Sequence, residues 1–182
     1  LWKAPNIPNG RKWHLFGEGH INEWDVLSPI VAHLPKYADQ CIIWGGQFYG
    51  LPPSRAWLVW NKIIRNFSTG VCELAWTNLD TPIDAFDYSH GQLANEGKAH
   101  PTQKPLPLMQ WCVRKTSGTV IDPFMGSGTT GVACQRLGRK FVGIEIEPKY
   151  FDVACRRIEE AMRQPDLFIP QATKPVQEEL SI

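Results

Sequence analysis

The sequence reads as an α/β fold, with a mixed, mostly parallel sheet flanked by helices, on three grounds. Short runs of β-branched and aromatic residues, such as Cys41-Ile42-Ile43-Trp44, are bounded by glycines or polar clusters as buried strands are. Longer stretches carry apolar residues at helical spacing. Over residues 119–144 a strand, a Gly-rich turn, a helix and a second strand follow one another, the pattern of a parallel βαβ unit.

The first 24 residues show no periodicity; Pro5, Pro8, Asn9, Gly10, Gly17 and Gly19 mark a mobile loop. Asp25 suits the N-cap of a helix whose Leu27, Ile30, Val31 and Leu34 share a face. Cys41–Trp44 is a short strand ended by Gly45-Gly46. Ala56–Trp60 alternates like a second strand, and Val71–Trp76 is a third. From about 77 to 104 the chain is polar and loop-like, longer than a passive connection. Leu106–Lys115 is expected to be a helix. Then come the strand Thr119–Ile121, the turn 122–128, the helix 128–137 and the strand Phe141–Ile144. Pro148 suits the first position of a helix running to about Met162. Residues 1–163 therefore form one domain and 164–182 a tail.

Composition narrows the class. With 43% hydrophobic and 20% charged residues the chain is not generally disordered, and a net charge of +1 names no partner. No apolar run reaches the roughly 20 residues of a membrane span. Leu1-Trp2-Lys3-Ala4-Pro5 lacks a signal-peptide layout. The five cysteines lie 21 to 40 residues apart, which fits neither a zinc site nor a disulfide scaffold, and the five histidines lack metal-ligand spacing. A reduced, cytoplasmic domain without a metal is expected. Residues 98–163 carry 11 basic and 6 acidic side chains, a surplus suited to a phosphate backbone or to solvated helix faces.

The turn carries the chemistry. Residues 126–131 read Gly-Ser-Gly-Thr-Thr-Gly, a G-x-G-x-x-G between strand and helix, and Glu145 follows 19 residues after Gly126 at the end of the next strand. Glycines let a ligand approach the backbone, and an acid at that place accepts hydrogen bonds from ribose hydroxyls. No Lys follows Gly128, so the turn is not a P-loop. Two adenosine-bearing ligands remain, a dinucleotide such as NAD and S-adenosylmethionine. Asp122 at the strand end would repel a pyrophosphate and attract an ammonium, which favours the second. An NAD-dependent oxidoreductase is the alternative reading of the glycine pattern.

Asp122-Pro123-Phe124-Met125-Gly126-Ser127-Gly128-Thr129-Thr130 resembles the cofactor motif of DNA methyltransferases that modify exocyclic amines, adenine N6 or cytosine N4. His100-Pro101-Thr102-Gln103-Lys104-Pro105 is similar to the second cofactor-contacting segment of that family, in the order of its β-type members. Trp24-Asp25, Ile42–Gly46, Trp57–Trp60 and Glu73–Asn78 resemble phage-type members, and the likeness spans about residues 24 to 163. It implies a Rossmann-like methyltransferase domain with S-adenosylmethionine as cofactor and double-stranded DNA as substrate, adenine N6 before cytosine N4. Asp122 would meet the methionine amino group and Glu145 the ribose. Pro123, Phe124, Gly126, Ser127, Gly128 and Thr129 would line the cofactor path, and Thr102, Gln103 and Lys104 would hold the methionine end.

One family motif is missing. Asp/Asn/Ser-Pro-Pro-aromatic accepts hydrogen bonds from the target amine and stacks on the flipped base. Leu51-Pro52-Pro53-Ser54 has the prolines without the polar first residue or the ring, and Asn6-Ile7-Pro8-Asn9 lacks the second proline. In the phage-type order the motif would precede residue 1, and the absence of an initiator Met agrees. The chain is then the bulk of an enzyme whose catalytic strand lies elsewhere, an inactive relative, or a non-catalytic S-adenosylmethionine- or DNA-binding module. It could also be a half completed by a second chain or a homo-oligomer. No catalytic residue is assigned.

Four further expectations follow. Residues 79–99 suit a target-recognition loop, and Trp76 suits the border of the base site. Trp57, Trp60 and Trp111 are expected in the core. Gln164-Pro165-Asp166-Leu167-Phe168 resembles the short peptides that dock on bacterial sliding clamps through residues such as Gln164, Leu167 and Phe168.

Overall fold

A computed structural model describes residues 30–64, 70–89 and 103–163. The loop expected over 1–24, the Asp25 cap, His100 to Thr102 and the tail with Gln164, Leu167 and Phe168 lie outside the described residues.

The chain enters on a helical turn over residues 30–33, continued by a 3-10 turn Leu34–Lys36. Val31 is buried there, whereas Ile30 is exposed. Four strands follow: β1 (Ile42–Trp44), β2 (Trp57–Asn61), β3 (Cys72–Thr77) and β4 (Asp84–Asp87). They form one sheet in the order β1-β3-β2-β4. β3 is antiparallel to both β1 and β2, and β4 is parallel to β2. β1, β2 and β4 therefore share a direction and β3 alone opposes them.

Helix α1 (Leu106–Arg114) leads to β5 (Val120–Asp122), α2 (Thr129–Arg136), β6 (Phe141–Gly143) and α3 (Pro148–Arg163). β5 and β6 pair in parallel, with Ile121 opposite Val142, which completes the expected βαβ unit. Among the described residues they form a second, separate sheet.

Helix α1 joins the two halves. Toward the first sheet, Leu108 packs with Trp60, and Cys112 with Leu58 and Ala75. Toward the second, Val113 packs with Ala133 and Cys134 of α2, and Val120 and Phe141 close that cluster. Complete burial of Leu108 contributes about 1.5–3 kcal/mol. Arg139 fastens the same helix from beyond α2: its guanidinium donates to the carbonyls of Val113, Thr116 and Gly118, which lie at and beyond the end of α1.

Two expectations are corrected here. The stretch 79–99 is not loop throughout, because β4 lies within it. β4 is flanked by aspartates and contributes Phe86, which with Tyr88 packs against Trp60 and Leu108. Its polar flanks hide it from a hydrophobic pattern. Trp76 does not border an open site: it is 3% exposed, and its indole N–H donates to the carbonyl of Pro52 at 2.8 Å. Leu51–Ser54 is thereby a structural connector, with the Ser54 hydroxyl donating to the Thr77 carbonyl. Trp60 is buried, while Trp57 is half-buried and Trp111 packs on the core from a partly buried position.

Candidate functional site

The carboxyl end of β5 opens onto a cavity of about 580 Å³. β1 lines one side through Ile42, Ile43 and Trp44, and β5 with its turn lines the other from Val120 to Ser127. Gln103, Lys104, Thr129, Thr130 and Glu145 complete the polar part of the wall. Most of the residues expected to bind cofactor thus meet in one place. Gly128 is not among the lining residues, and Thr102 lies outside the described residues.

The turn is held from below. The Ile144 amide donates to the Asp122 carbonyl, and the Met125 amide to the Ile144 carbonyl, so the loop rides on β6. Gly126 and Gly128 adopt left-handed φ values of 53° and 78°, which a side chain would strain. Gly128 packs against α3: a Cβ added there would stand 2.8 Å from Ala154 Cβ.

Asp122 is fixed by two donors. The Phe124 amide reaches its Oδ1 at 3.0 Å and the Thr130 hydroxyl its Oδ2 at 2.6 Å. Burial pushes its carboxyl up from the ordinary carboxylate range and Glu145 adds to the push, while the Thr130 and Phe124 donors oppose it. A carboxylate held so, without a cationic partner among the described residues, suits an incoming ammonium.

Glu145 is oriented by backbone. Gly126 N–H donates to Oε2 at 2.8 Å and Glu147 N–H to Oε1 at 2.9 Å. Each oxygen keeps a lone pair for a hydroxyl donor. Phe124, 46% exposed, lines the same cavity as these acids.

The third wall is formed by the segment before α1. The Ser127 hydroxyl donates to Gln103 Oε1 at 3.0 Å, and both residues are buried. Lys104 lines the cavity but is already engaged: its Nζ lies 2.7 Å from Glu73 Oε2.

Sequence reasoning missed three participants. Arg157 of α3 donates through Nη1 to the Ser127 carbonyl, to Ser127 Oγ at 2.9 Å and to Thr129 Oγ1 at 3.3 Å, clamping the turn. The signal for it is the small pair Gly128 and Ala154, which brings α3 against the turn and makes the residue three places on a neighbour of Ser127. Lys62 carries no local motif, and Glu73 opens the Glu73–Asn78 stretch without a role of its own there, because their meeting depends on strand register.

Comparison with known proteins shows what the chain is similar to. The family model for DNA methylases, N6_N4_Mtase, matches residues 41–156. A 63-residue stretch is 48% identical to the Type II methyltransferase M2.DpnII of Streptococcus pneumoniae, covering 33% of this chain and 24% of that protein. A 72-residue stretch is 46% identical to the Type II methyltransferase M.HinfI of Haemophilus influenzae, covering 38% of this chain and 20% of that protein. The matched stretches thus span less than a quarter of the length of these curated relatives. Among solved structures, the M1.HpyAVI–SAM complex aligns at 28% identity over 73% of this chain and 70% of that one, with a TM-score of 0.48.

Proposed function

Because the chain belongs to the DNA methylase family, whose model spans residues 41–156, we propose that it transfers a methyl group from S-adenosylmethionine to an exocyclic amine of double-stranded DNA, adenine N6 in preference to cytosine N4. The observation that carries this reading is the pair of oriented carboxylates, Asp122 and Glu145, on the wall of one cavity with the Gln103–Ser127 contact between segments far apart in sequence. Nothing in the site favours the NAD-dependent alternative, whose pyrophosphate Asp122 would repel.

S-adenosylmethionine, when bound, supplies a methyl group on a sulfonium for direct displacement by the amine. The chain's own residues bind and orient. Asp122 accepts from the amino group, Glu145 accepts from ribose hydroxyls, and Phe124 offers its ring to the adenine or the methionine chain. Thr130 and Arg157 keep the turn from moving, so the reactants meet at fixed geometry, which is the larger part of such catalysis.

The Asp/Asn/Ser-Pro-Pro-aromatic motif that would accept from the target amine does not occur in the sequence, whose one pair of adjacent prolines, Pro52 and Pro53, sits in the connector beneath Trp76. We place that motif on a strand seated between β1 and β5. Among the described residues neither strand has a partner on its cavity side, and both line the same space. The strand would come from a longer chain or from a second polypeptide.

Single-turnover incubation with methyl-labelled S-adenosylmethionine and unmodified duplex DNA tests the reading. Label recovered as N6-methyladenine supports it. N4-methylcytosine would reassign the base. Bound cofactor with no transferred label would make the chain a binding module that needs its catalytic strand.

A further inference from the structure

The cavity wall made by β1 and the loop after it has no part in the reading above. Among the described residues the aromatic side chains that line the cavity are Trp44, Tyr49 and Phe124. Phe124 belongs to the turn after β5. Trp44 is taken up at the end of β1, where its ring faces Lys104 Nζ at 5.8 Å and its indole nitrogen is buried. Tyr49, half-buried in the loop beyond β1, is the aromatic on that side without an assigned role.

The loop that carries Tyr49 is held in place. Gly45 N–H donates to the Leu74 carbonyl at 2.8 Å, a Cβ on Gly46 would run into Trp76, and Leu51 N–H donates to the Tyr49 carbonyl at 2.7 Å. This loop and the turn after β5 meet at one mouth, because two consecutive residues reach both: Gln103 accepts from Ser127, and Lys104 faces Trp44. A strand seated between β1 and β5 and running with them would end between the loop and the turn. The amine presented there has the methyl donor on the β5 side and Tyr49 on the β1 side. A base drawn out of a duplex is held by stacking on aromatic side chains. Burial pushes the Tyr49 phenol up to about 12, so at neutral pH an uncharged base would meet an uncharged ring.

We propose that Tyr49 is a substrate-binding residue whose ring stacks on the extruded target base. It fills the place that Trp76, buried beneath the same loop, cannot take. The cavity then divides by chemistry: Asp122 and Glu145 hold the methyl donor on one wall, and Tyr49 holds the acceptor's ring on the other. This inference rests on the S-adenosylmethionine reading.

The probe is 2-aminopurine 2′-deoxyriboside, an adenine analogue whose fluorescence is quenched by stacking. It is titrated into the 182-residue chain saturated with S-adenosylhomocysteine, which keeps the adenosine site filled. The parent should quench the probe saturably. Tyr49→Leu should weaken probe binding about tenfold or more, the size of one lost base–aromatic stack, with S-adenosylhomocysteine affinity unchanged. Tyr49→Phe, which keeps the ring, should behave as the parent. Quenching indifferent to Tyr49→Leu overturns the inference. So does equal weakening of probe and S-adenosylhomocysteine, which would give Tyr49 to the cofactor, and so does a parent that binds S-adenosylhomocysteine without quenching the probe. Should Tyr49→Leu fail to fold, Overhauser contacts between the probe and tyrosine ring protons of the parent decide: contacts that vanish in Tyr49→Phe support the inference, and contacts that persist there or never appear overturn it. Failure of the parent to bind S-adenosylhomocysteine would be a different result, removing the cofactor reading itself and this inference with it.

Discussion

Gly128 of the turn and Ala154 of α3 meet so closely that a Cβ on Gly128 would fall 2.8 Å from the Ala154 Cβ and 2.9 Å from its Cα. One turn further along both helices, Gly131 faces Ile158 in the same way. These contacts set how near α3 lies to the cofactor turn, and that nearness brings the Arg157 guanidinium onto Ser127. Packing and site geometry are one arrangement here.

Replacing Gly128 by Ala should therefore be costly twice. The left-handed backbone adds about 1–2 kcal/mol, and forcing a methyl against Ala154 adds about 1–3 kcal/mol. Urea denaturation should show a total loss of about 2–5 kcal/mol. A loss below about 0.5 kcal/mol, the size of a neutral surface change, would mean that α3 does not pack on the turn as described.

Arg157→Met tests the clamp. It removes bonds from a charged donor to the Ser127 carbonyl and to the Ser127 and Thr129 hydroxyls while keeping the aliphatic stem. Loosening the turn should weaken S-adenosylmethionine about tenfold, the effect of one charged hydrogen bond. Unchanged affinity with a lowered melting temperature would make the clamp purely structural.

Asp122→Asn should divide stability from binding. Burial raises the Asp122 pKa in the folded chain above its unfolded value. A raised carboxyl favours folding at low pH, and that contribution falls as pH rises from the unfolded pKa through the folded one. At neutral pH the ionised Asp122 is thus a burden, and the Asn variant should melt higher than its parent, with the gap closing in acid. Its affinity for S-adenosylmethionine should fall by about 2–5 kcal/mol, as for loss of one partner in a desolvated charge pair. In the parent, affinity should weaken as pH drops through the raised pKa. A variant that melts no higher at neutral pH would contradict the burial of this charge.

The cysteines should react in a fixed order. Burial pushes Cys112 up to about 12 and Cys134 up to about 11, whereas Cys72 is exposed on β3. An alkylating reagent at pH 8 should label Cys72 first and leave Cys112 and Cys134 until the chain unfolds. Mass spectrometry of timed digests reads this directly, and early labelling of Cys112 would place α1 elsewhere than over Leu58 and Ala75.

The elements of this fold that obey a local rule were legible in the sequence. Ala56–Trp60 alternates, and β2 occupies Trp57–Asn61; Pro148 opens α3; the Gly-rich turn joins β5 to α2. β4 escaped because its four residues, Asp84–Asp87, hold two aspartates and gain their place from pairing with β2 rather than from their own pattern. At the site the same divide holds. Asp122, Gly126 and Glu145 belong to one local motif and were readable together. Glu73, Lys62 and Arg157 come to the site through strand register and helix packing, which a single sequence does not spell out. Lys104 was assigned to a ligand, and only the fold reveals that it shares Glu73 with a second lysine.

The most direct measurement is calorimetric titration of this 182-residue chain with S-adenosylmethionine, repeated with NAD and with an Asp122→Ala variant. Saturable binding of S-adenosylmethionine that disappears in the variant, with none for NAD, is the predicted result. Binding of NAD, or S-adenosylmethionine binding indifferent to Asp122, would contradict the assignment of this cavity.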